Sequence, residues 1–306
     1  MMLGRVVEIG GEGRHLALKR GFMLVKSAGE EVARIALDDI AVLLANAHGL
    51  TYSNNLLLAL AKRNAMVVLC GPNHMPAAWL WPMMGHYAQT ERMAAQIAAS
   101  KPLNKRLWQA LVRAKIDQQA AVLDAVGKPS GGVAALGRRV RSGDPENMEA
   151  QAARRYWPLL FGKDFRRDRA QVGVNSLLNY GYTVLRAAMA RAVVAAGLHP
   201  SLGLHHRTRT DPFCLVSDLM EPFRPLVDLS VFRLVETDKL ELGPDSKAAL
   251  AGVVAIDMQT DRGVTPLATC QERLAGSLAR TYGEGALNLE LPFAPLPLDA
   301  ARLGRK

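Results

Sequence analysis

The sequence predicts an α+β protein in which a small β-rich N-terminal domain precedes a larger all-α domain. Residues 1–86 form short apolar runs separated by turn residues, such as "RVVEI" followed by "GGEG". Residues 91–127 and 170–197 are instead rich in Ala and Leu and follow a helical period. Because 306 residues suffice for two hydrophobic cores, we expect domains at residues 1–86 and 87–285 and an extended tail at residues 286–306.

The N-terminal runs predict antiparallel strands. Five runs of five or six residues alternate in polarity or are rich in β-branched residues, with turn residues between them: "RVVEI", "HLALK", "FMLVK", "VARIAL" and "IAVLLA". The stretch "SNNLLLALAKRN" at residues 53–64 predicts one helix, which Ser53 or Asn54 would cap. A further strand, "AMVVLC", is expected directly after this helix.

Two prolines bound the helix that we expect in the middle of the chain. Asp144 followed by Pro145 is typical of an N-cap and a first helical residue. Pro158 should end the same helix, near Arg155 or Trp157, because proline removes a backbone donor.

Glycine and proline also shape the later helices. Residues 170–197 predict one long helix that ends at a glycine. Residues 214–235 should be helical but interrupted, because Pro222 and Pro225 each remove a backbone donor. A final helix is expected over residues 265–280.

Positive charge is concentrated in the middle third of the chain. The formal net charge is +10, and residues 101–210 hold 19 Lys and Arg against 7 Asp and Glu. The residues before this range contribute +2 and those after it −4. Such a distribution is typical of a protein that binds a polyanion, so we expect nucleic acid as the partner.

The sequence lacks the signals of several other classes of protein. No apolar run reaches the roughly 18 residues of a membrane span, and the N-terminus has no signal-peptide core. Three cysteines far apart fit a reducing cytosol, so we expect a cytoplasmic protein without membrane contact. Motifs for NTP hydrolysis, dinucleotide binding and a serine nucleophile are also missing from the sequence.

The segment "LGLHHRTRTDPFCLVSDLMEPFRPLVD" combines histidines, arginines and carboxylates. Asp218 and Glu221 are three residues apart, so both would project from one face of a helix. His205 and His206 are adjacent, so their side chains diverge and at most one faces a given point. Two solvated surface acids, or neutralisation of one acid by Arg224, would also explain the carboxylates.

These groups favour a site for a divalent metal. One neutral imidazole with two or three carboxylate oxygens suits Mg²⁺ or Mn²⁺ and is a poor set for structural zinc. Glu149, in the first turns of the helix that contains "NMEAQAARRYW", is the candidate third carboxylate, although an acid there also suits the helix dipole. Together with the basic surface, this site predicts metal-assisted phosphodiester chemistry on nucleic acid.

Four stretches, read in order, resemble the CRISPR-associated integrase family, the catalytic subunit of the spacer-acquisition complex. They are "NMEAQAARRYW", "NSLLNYGYTVLRA", "GLHPSLGLHH" and "SDLMEPFRPLVD". The last two are the most specific, with G-x-x-P-x-x-G-x-x-H and, after a short loop, D-x-x-E-x-x-R-P. The resemblance extends over nearly the whole chain and is strongest to members from type II systems.

The resemblance implies a divalent-metal site, with Mg²⁺ or Mn²⁺ as the cofactor, made of Glu149, His206 and Glu221. Asp218 matches the family's additional acid beside the metal, so the implied catalytic residues are these four. His205 breaks the three-residue step of the motif and is matched to no ligand. Many members carry aspartate where this chain has Glu221, and this difference keeps the ligand type.

The reaction implied by the resemblance is a transesterification on double-stranded DNA. The 3′-hydroxyl of a captured fragment attacks a phosphodiester of the CRISPR repeat, and a second attack follows at the repeat's other end. The arginines expected to hold DNA phosphates are Arg154, Arg155, Arg166, Arg167 and Arg169. The family also implies a homodimer, formed by the N-terminal domain, and a heterohexamer with a small ferredoxin-like adaptation subunit.

Three other functions share some of these features. A metal-dependent nuclease of branched or single-stranded DNA would use the same residues with water as the nucleophile. A non-catalytic nucleic-acid-binding scaffold would need the basic surface alone. A metal hydrolase of a small phosphoester is disfavoured by the charge of residues 101–210.

Overall fold

The computed structural model describes residues 4–71, 76–206, 208 and 211–292. The N-terminal part is built from strands and one helix: β1 (Arg5–Ile9), β2 (Arg14–Lys19), β3 (Phe22–Ser27), β4 (Glu30–Ala36), β5 (Ile40–Ala45), β6 (Thr51–Tyr52), α1 (Asn54–Lys62), β7 (Met66–Cys70) and β8 (Pro76–Leu80). The part that follows is mostly helical: α2 (Gln89–Ala98), α3 (Lys101–Ala125), α4 (Gly131–Gly137), α5 (Met148–Phe161), α6 (Val174–Ala195), α7 (Cys214–Leu219), α8 (Arg224–Glu236), α9 (Pro244–Ala251), β9 (Asp257–Thr260), β10 (Gly263–Pro266) and α10 (Leu267–Glu284).

The predicted fold class, a β-rich N-terminal part followed by a helical part, is confirmed. The helical part differs from an all-α domain in one detail, because β9 and β10 pair as an antiparallel hairpin before α10. The limits of the predicted domains stay a prediction. Of the predicted tail, residues 293–306 lie outside the described residues.

Two four-stranded sheets make up the N-terminal part. One sheet has the order β4-β3-β2-β6, and its strands β2, β3 and β4 pair antiparallel as predicted. The other has the order β1-β5-β7-β8, and the antiparallel prediction is wrong for β1 and β5, which run parallel to each other; β7 is also parallel to β5. All six residues of β5 are buried. Its continuous apolar run "IAVLLA" is typical of a parallel strand covered on both faces rather than of an alternating antiparallel one.

The sheet β1-β5-β7-β8 lies between two hydrophobic clusters. Val42 and Val68 belong to the large cluster that also contains the helices, whereas Leu43 and Val67 belong to a smaller cluster within the N-terminal part. Because neighbouring residues of a strand point to opposite faces, this division follows from the strand period. The helical part therefore packs directly on one face of this sheet.

Most predicted helices are found, with two corrections. The helical residues 91–127 divide into α2 and α3, because Ser100 caps α3 and accepts a hydrogen bond from the backbone of Leu103 at 3.3 Å. Pro158 lies inside α5 and does not end it; the helix continues to Phe161 and closes at a glycine with a φ of 99°. The N–H that Pro158 lacks would bond the carbonyl of exposed Arg154, where solvent can replace it.

The helix predicted around the two prolines of "MEPFRPLVD" is interrupted as expected. α7 ends at Leu219, a 3₁₀ turn covers Glu221–Phe223, and α8 begins at Arg224. Among the described residues, no helix combines the length and the apolar character that crossing a membrane would require.

One charged junction joins the parallel sheet to the helices. Glu8 in β1 accepts hydrogen bonds from Asn46 at 2.7 Å, from Lys247 of α9 at 2.8 Å, and from the hydroxyl of Tyr180 of α6. Burial of Glu8 opposes its ionisation, but the hydrogen bonds from Lys247, Tyr180 and Asn46 outweigh it and lower the pKa of this carboxyl. The junction therefore holds a charged carboxylate between sheet and helices.

We predict that Lys247→Met lowers the free energy of unfolding by about 1.5 kcal/mol, since it removes a charged hydrogen bond from a half-buried carboxylate. Lys239→Met is the matched control, because Lys239 pairs with Asp245 across 3.4 Å and is 51% exposed, against 29% for Lys247. The control should cost less than about 0.5 kcal/mol. Urea denaturation at neutral pH measures both, and equal losses would contradict the role of the junction.

Candidate active site

Glu149 is positioned by a capped helix start. The structure places it as the second residue of α5, whose N-cap is Asn147 and not the predicted Asp144. Asp144 still serves the same helix end, because its carboxylate accepts the N–H groups of Met148 at 2.8 Å and Glu149 at 3.0 Å. These hydrogen bonds satisfy N–H groups that have no partner within the helix, and they fix the backbone of Glu149.

Glu221 is positioned by the break between α7 and α8. Its side chain is buried, with 6% exposed, and Arg224 Nε lies 2.8 Å from its Oε1. The alternative that Arg224 neutralises one acid is thus borne out for Glu221. Burial opposes ionisation of Glu221, but the charges of Arg224 and Lys115 outweigh it and lower the pKa of this carboxyl.

Lys115, in the middle of α3, connects the two glutamates. Its Nζ donates to Glu149 Oε1 at 2.6 Å and lies 2.5 Å from Glu221 Oε2. Burial alone would lower the pKa of Lys115, but the nearby charges of Glu221 and Glu149 raise it, so the ammonium is charged. The sequence motifs did not predict this residue. The available signal was its place four residues after Leu111 and eight after Leu107, on the buried stripe of α3.

Asp218 organises the histidine loop. It is completely buried, and its oxygens accept the N–H groups of Leu204 at 2.7 Å and His205 at 3.0 Å. The same carboxylate bonds the Nδ1 of His206. The loop can approach so closely because residue 203 is glycine: a Cβ there would lie 2.5 Å from the carbonyl oxygen of His206. Asp218 therefore bonds the histidine loop, whereas Glu221 contacts Arg224 and Lys115.

The two adjacent histidines have different surroundings. His205 stacks on the buried ring of Trp108, with the ring centroids 4.4 Å apart and an interplanar angle of 4°. His206 meets the same ring edge-on at 5.4 Å. The hydrogen bond with Asp218 raises the pKa of His206 against the effect of burial, and Glu221 and Glu149 add to the rise. His206 is therefore the histidine that faces the carboxylates, as the motif implied.

The structure does not assemble the predicted ligands around one point. Within the described part of the chain, no three His, Cys, Asp or Glu side chains are arranged to hold a metal ion. The reason is local, because the Lys115 ammonium lies between Glu149 and Glu221. The assignment of Glu149, His206 and Glu221 as metal ligands therefore stays a prediction.

The chemical types of these side chains nevertheless suit a cation. The Lys115 ammonium already takes a cation's place between Glu149 and Glu221. Although it lies 2.5 Å from Glu221 Oε2, this buried oxygen accepts no hydrogen bond of acceptable geometry from the described residues. His206 is held at Nδ1 by a carboxylate, which is the arrangement that metal-binding histidines usually have. The set therefore fits a divalent ion that could replace the ammonium.

A buried polar cluster lies behind the site. Asp228, in α8, accepts hydrogen bonds from the hydroxyls of Tyr156, at 3.1 Å, and Tyr182. The Tyr182 ring in turn lies 4.9 Å from the guanidinium carbon of Arg224. Burial raises the pKa of Asp228 to about 7, although both tyrosine hydroxyls oppose the rise. The sequence motifs did not predict this cluster, whose only local signal is a polar residue at the end of "RPLVD".

The five arginines predicted to bind DNA have unequal surroundings. Arg167 is half-buried and donates to the side-chain oxygens of Asn175 at 2.8 Å and Asn179 at 2.7 Å. Arg166 donates to backbone carbonyls of its own loop and Arg155 to the carbonyl of Gly132 in α4, and both remain exposed. Arg154 and Arg169 are also exposed. Arg167 therefore supports its own loop, and DNA binding by the five stays a prediction.

Comparison with solved structures defines the class of fold. A casposase bound to an integration product matches with a TM-score of 0.78 and 19% identity, over 94% of this chain and 92% of its own. A chain of a Cas6-RT-Cas1–Cas2 complex matches with a TM-score of 0.75 and 15% identity, over 97% of this chain and 37% of that one. At these identities the likeness shows the fold alone.

Comparison of sequences identifies the family. The family model for CRISPR associated protein Cas1 matches residues 7–244. The CRISPR-associated endonuclease Cas1 of Neisseria meningitidis serogroup C (strain 8013) is 37% identical over 285 residues, which cover 92% of this chain and 93% of the relative. The chain therefore belongs to the Cas1 family, and the family predicted from the four motifs is confirmed.

We predict that the difference in the free energy of unfolding between the protein and its Asp228→Asn variant depends on pH. Folded Asp228 keeps its proton up to about pH 7, whereas an ordinary aspartate loses it near 3.8. The stability contributed by the protonated carboxyl is therefore complete below about pH 4 and is lost as the pH rises to about 7. Urea denaturation across this range measures the difference.

Asp245→Asn, at an exposed carboxylate, is the control. Parallel pH profiles of the protein and Asp228→Asn would contradict the raised pKa of Asp228.

Proposed function

We propose that this chain is a metal-dependent DNA integrase and endonuclease of CRISPR adaptation. It would join the 3′-hydroxyl ends of captured double-stranded DNA to the CRISPR repeat by transesterification. Two findings support the activity: the relative named as an endonuclease and the fold shared with a casposase bound to an integration product. The observation that carries the proposal is the meeting of Glu149 and Glu221 at one buried cation, next to His206.

In this proposal Mg²⁺ or Mn²⁺ is held by Glu149, His206 and Glu221. When bound, the metal would assist loss of the hydroxyl proton and offset the charge that develops on the phosphate. Asp218 fixes the ring of His206 through Nδ1, so the free nitrogen of the neutral imidazole is Nε2. Arg224 holds Glu221 from the other side. No side chain of the protein is needed as a nucleophile, because the DNA supplies its own hydroxyl.

The proposal extends to partners and location. A match to a chain of a Cas6-RT-Cas1–Cas2 complex supports assembly with a small Cas2-type adaptation subunit. We propose a homodimer that joins this subunit in a heterohexamer on double-stranded DNA. We propose the cytoplasm as its location, where a CRISPR repeat would be its target.

We predict that Glu149→Ala, His206→Ala and Glu221→Ala each lower strand joining by at least about a hundredfold. DNA binding should change little, because phosphate contacts supply most of the affinity. His205→Ala is the control and should retain most of the activity, since His205 stacks on Trp108. The assay uses a labelled fragment and a supercoiled plasmid that carries the repeat.

Three outcomes of this assay would count against the proposal. Fragmentation of the plasmid without joining would favour a nuclease that uses water. Full joining by the alanine variants would show that Glu149, His206 and Glu221 do not carry the catalysis, and no joining by the unaltered protein would favour a non-catalytic scaffold.

We predict that the affinity for DNA falls steeply with salt, as release of counterions requires. Replacing the exposed Arg154 and Arg169 together with alanine should lower the slope of log Kd against log salt by about two. Arg167→Ala should instead lower the free energy of unfolding, because Arg167 holds two asparagines. Fluorescence anisotropy over a salt series measures the slope, and an affinity independent of salt would refute the electrostatic model.

A further inference from the structure

Lys115 is a charged residue on the buried side of a long helix. In α3 it follows Leu107 and Leu111 at intervals of four residues, so it lies on the stripe that packs against the rest of the helical part. Its side chain is 12% exposed. A lysine in this position is costly unless its charge is balanced. The contacts with Glu149 and Glu221 supply that balance.

On Glu221 a divalent ion would need the oxygen that the ammonium contacts, because Arg224 lies against the other one. Mg²⁺ lies about 2.1 Å from its carboxylate ligands. The Lys115 ammonium already lies 2.6 Å from Glu149 Oε1 and 2.5 Å from Glu221 Oε2. Two cations that share both oxygens would be separated by roughly 4 Å or less, where like charges repel strongly in a buried site. The ammonium and the metal therefore exclude each other.

The contact with Lys115 is replaceable. Glu221 Oε2 lies close to the charged ammonium, but it accepts no well-directed hydrogen bond from the described residues. Glu221 would keep Arg224 on its other oxygen if the lysine left. The lysine side chain has a flexible four-carbon stem, so its ammonium can move away while α3 stays in place. Without any cation, Glu149 and Glu221 would repel each other.

We propose that Lys115 is a positioning residue: it holds Glu149 and Glu221 together in the metal-free protein and is displaced from them when a divalent cation binds. It thereby sets the affinity of the site for metal. This inference rests on the proposed function in one respect, the assignment of the two glutamates as metal ligands. It adds a residue that the family motifs of this chain do not include.

The test measures the binding of Mn²⁺ to chelator-treated protein by isothermal titration calorimetry. Lys115→Met keeps the length of the side chain and removes its charge. We expect it to bind Mn²⁺ about tenfold more tightly or better, because no charged contact has to be broken. Its melting temperature without metal should fall, and Mn²⁺ should raise it by more than it raises that of the unaltered protein.

Two further variants make the result specific. Lys115→Arg keeps the charge and adds a planar fork that can bind both carboxylates, so it should bind Mn²⁺ more weakly than the unaltered protein. Lys101→Met removes an exposed lysine of the same helix and should change nothing. A purely structural role of Lys115 would not produce opposite shifts in the methionine and arginine variants.

The following outcomes would overturn the inference. Equal or weaker Mn²⁺ binding by folded Lys115→Met would do so. If that variant does not fold without metal, Lys115→Arg decides, and an affinity equal to or above that of the unaltered protein refutes displacement. Mn²⁺ binding that persists in Glu149→Ala and Glu221→Ala, or is missing from every variant, would instead refute the metal site of the proposed function, and the inference with it.

Discussion

The site depends on one buried carboxylate, that of Asp218. A fully buried aspartate is tolerated only when its oxygens are satisfied, and here they accept successive N–H groups of the histidine loop. The close contact also restricts the loop, which can fold over the carboxylate only with glycine at position 203. His206 is oriented as a result, while His205 is turned towards Trp108. One acid thus decides which of two neighbouring histidines faces the glutamates.

Charges alternate from the surface of the site into the core. Glu149 contacts Lys115, Lys115 contacts Glu221, and Glu221 contacts Arg224. Arg224 then packs on the ring of Tyr182, whose hydroxyl donates to Asp228. A buried ion pair contributes little net stability, but removing one member leaves an unpaired charge. The series therefore fixes the geometry of the glutamates more than it stabilises the fold.

The sequence predicted features that depend on local signals. Pro222 and Pro225 predicted the break that places Glu221 in a turn. The motif spacing distinguished His206 from His205. Lys115 was not predicted, because its partner Glu149 is 34 residues away and no local sequence pattern near either residue indicates the contact. The direction of β1 and β5 was missed for a related reason. Parallel pairing joins strands that are distant in sequence, and an apolar run alone does not encode its partner.

The junction at Glu8 has a consequence for how the chain matures on the ribosome. Glu8 and Lys247 are separated by 239 positions, so nearly the whole polypeptide must be translated before this contact can form. The antiparallel strands β2, β3 and β4 are neighbours in sequence and can pair while synthesis continues. The parallel sheet, in contrast, waits for α6 and α9 to emerge. Docking of the two parts is therefore a late event of biogenesis, and nascent chains that stop before α6 would expose the apolar face of that sheet.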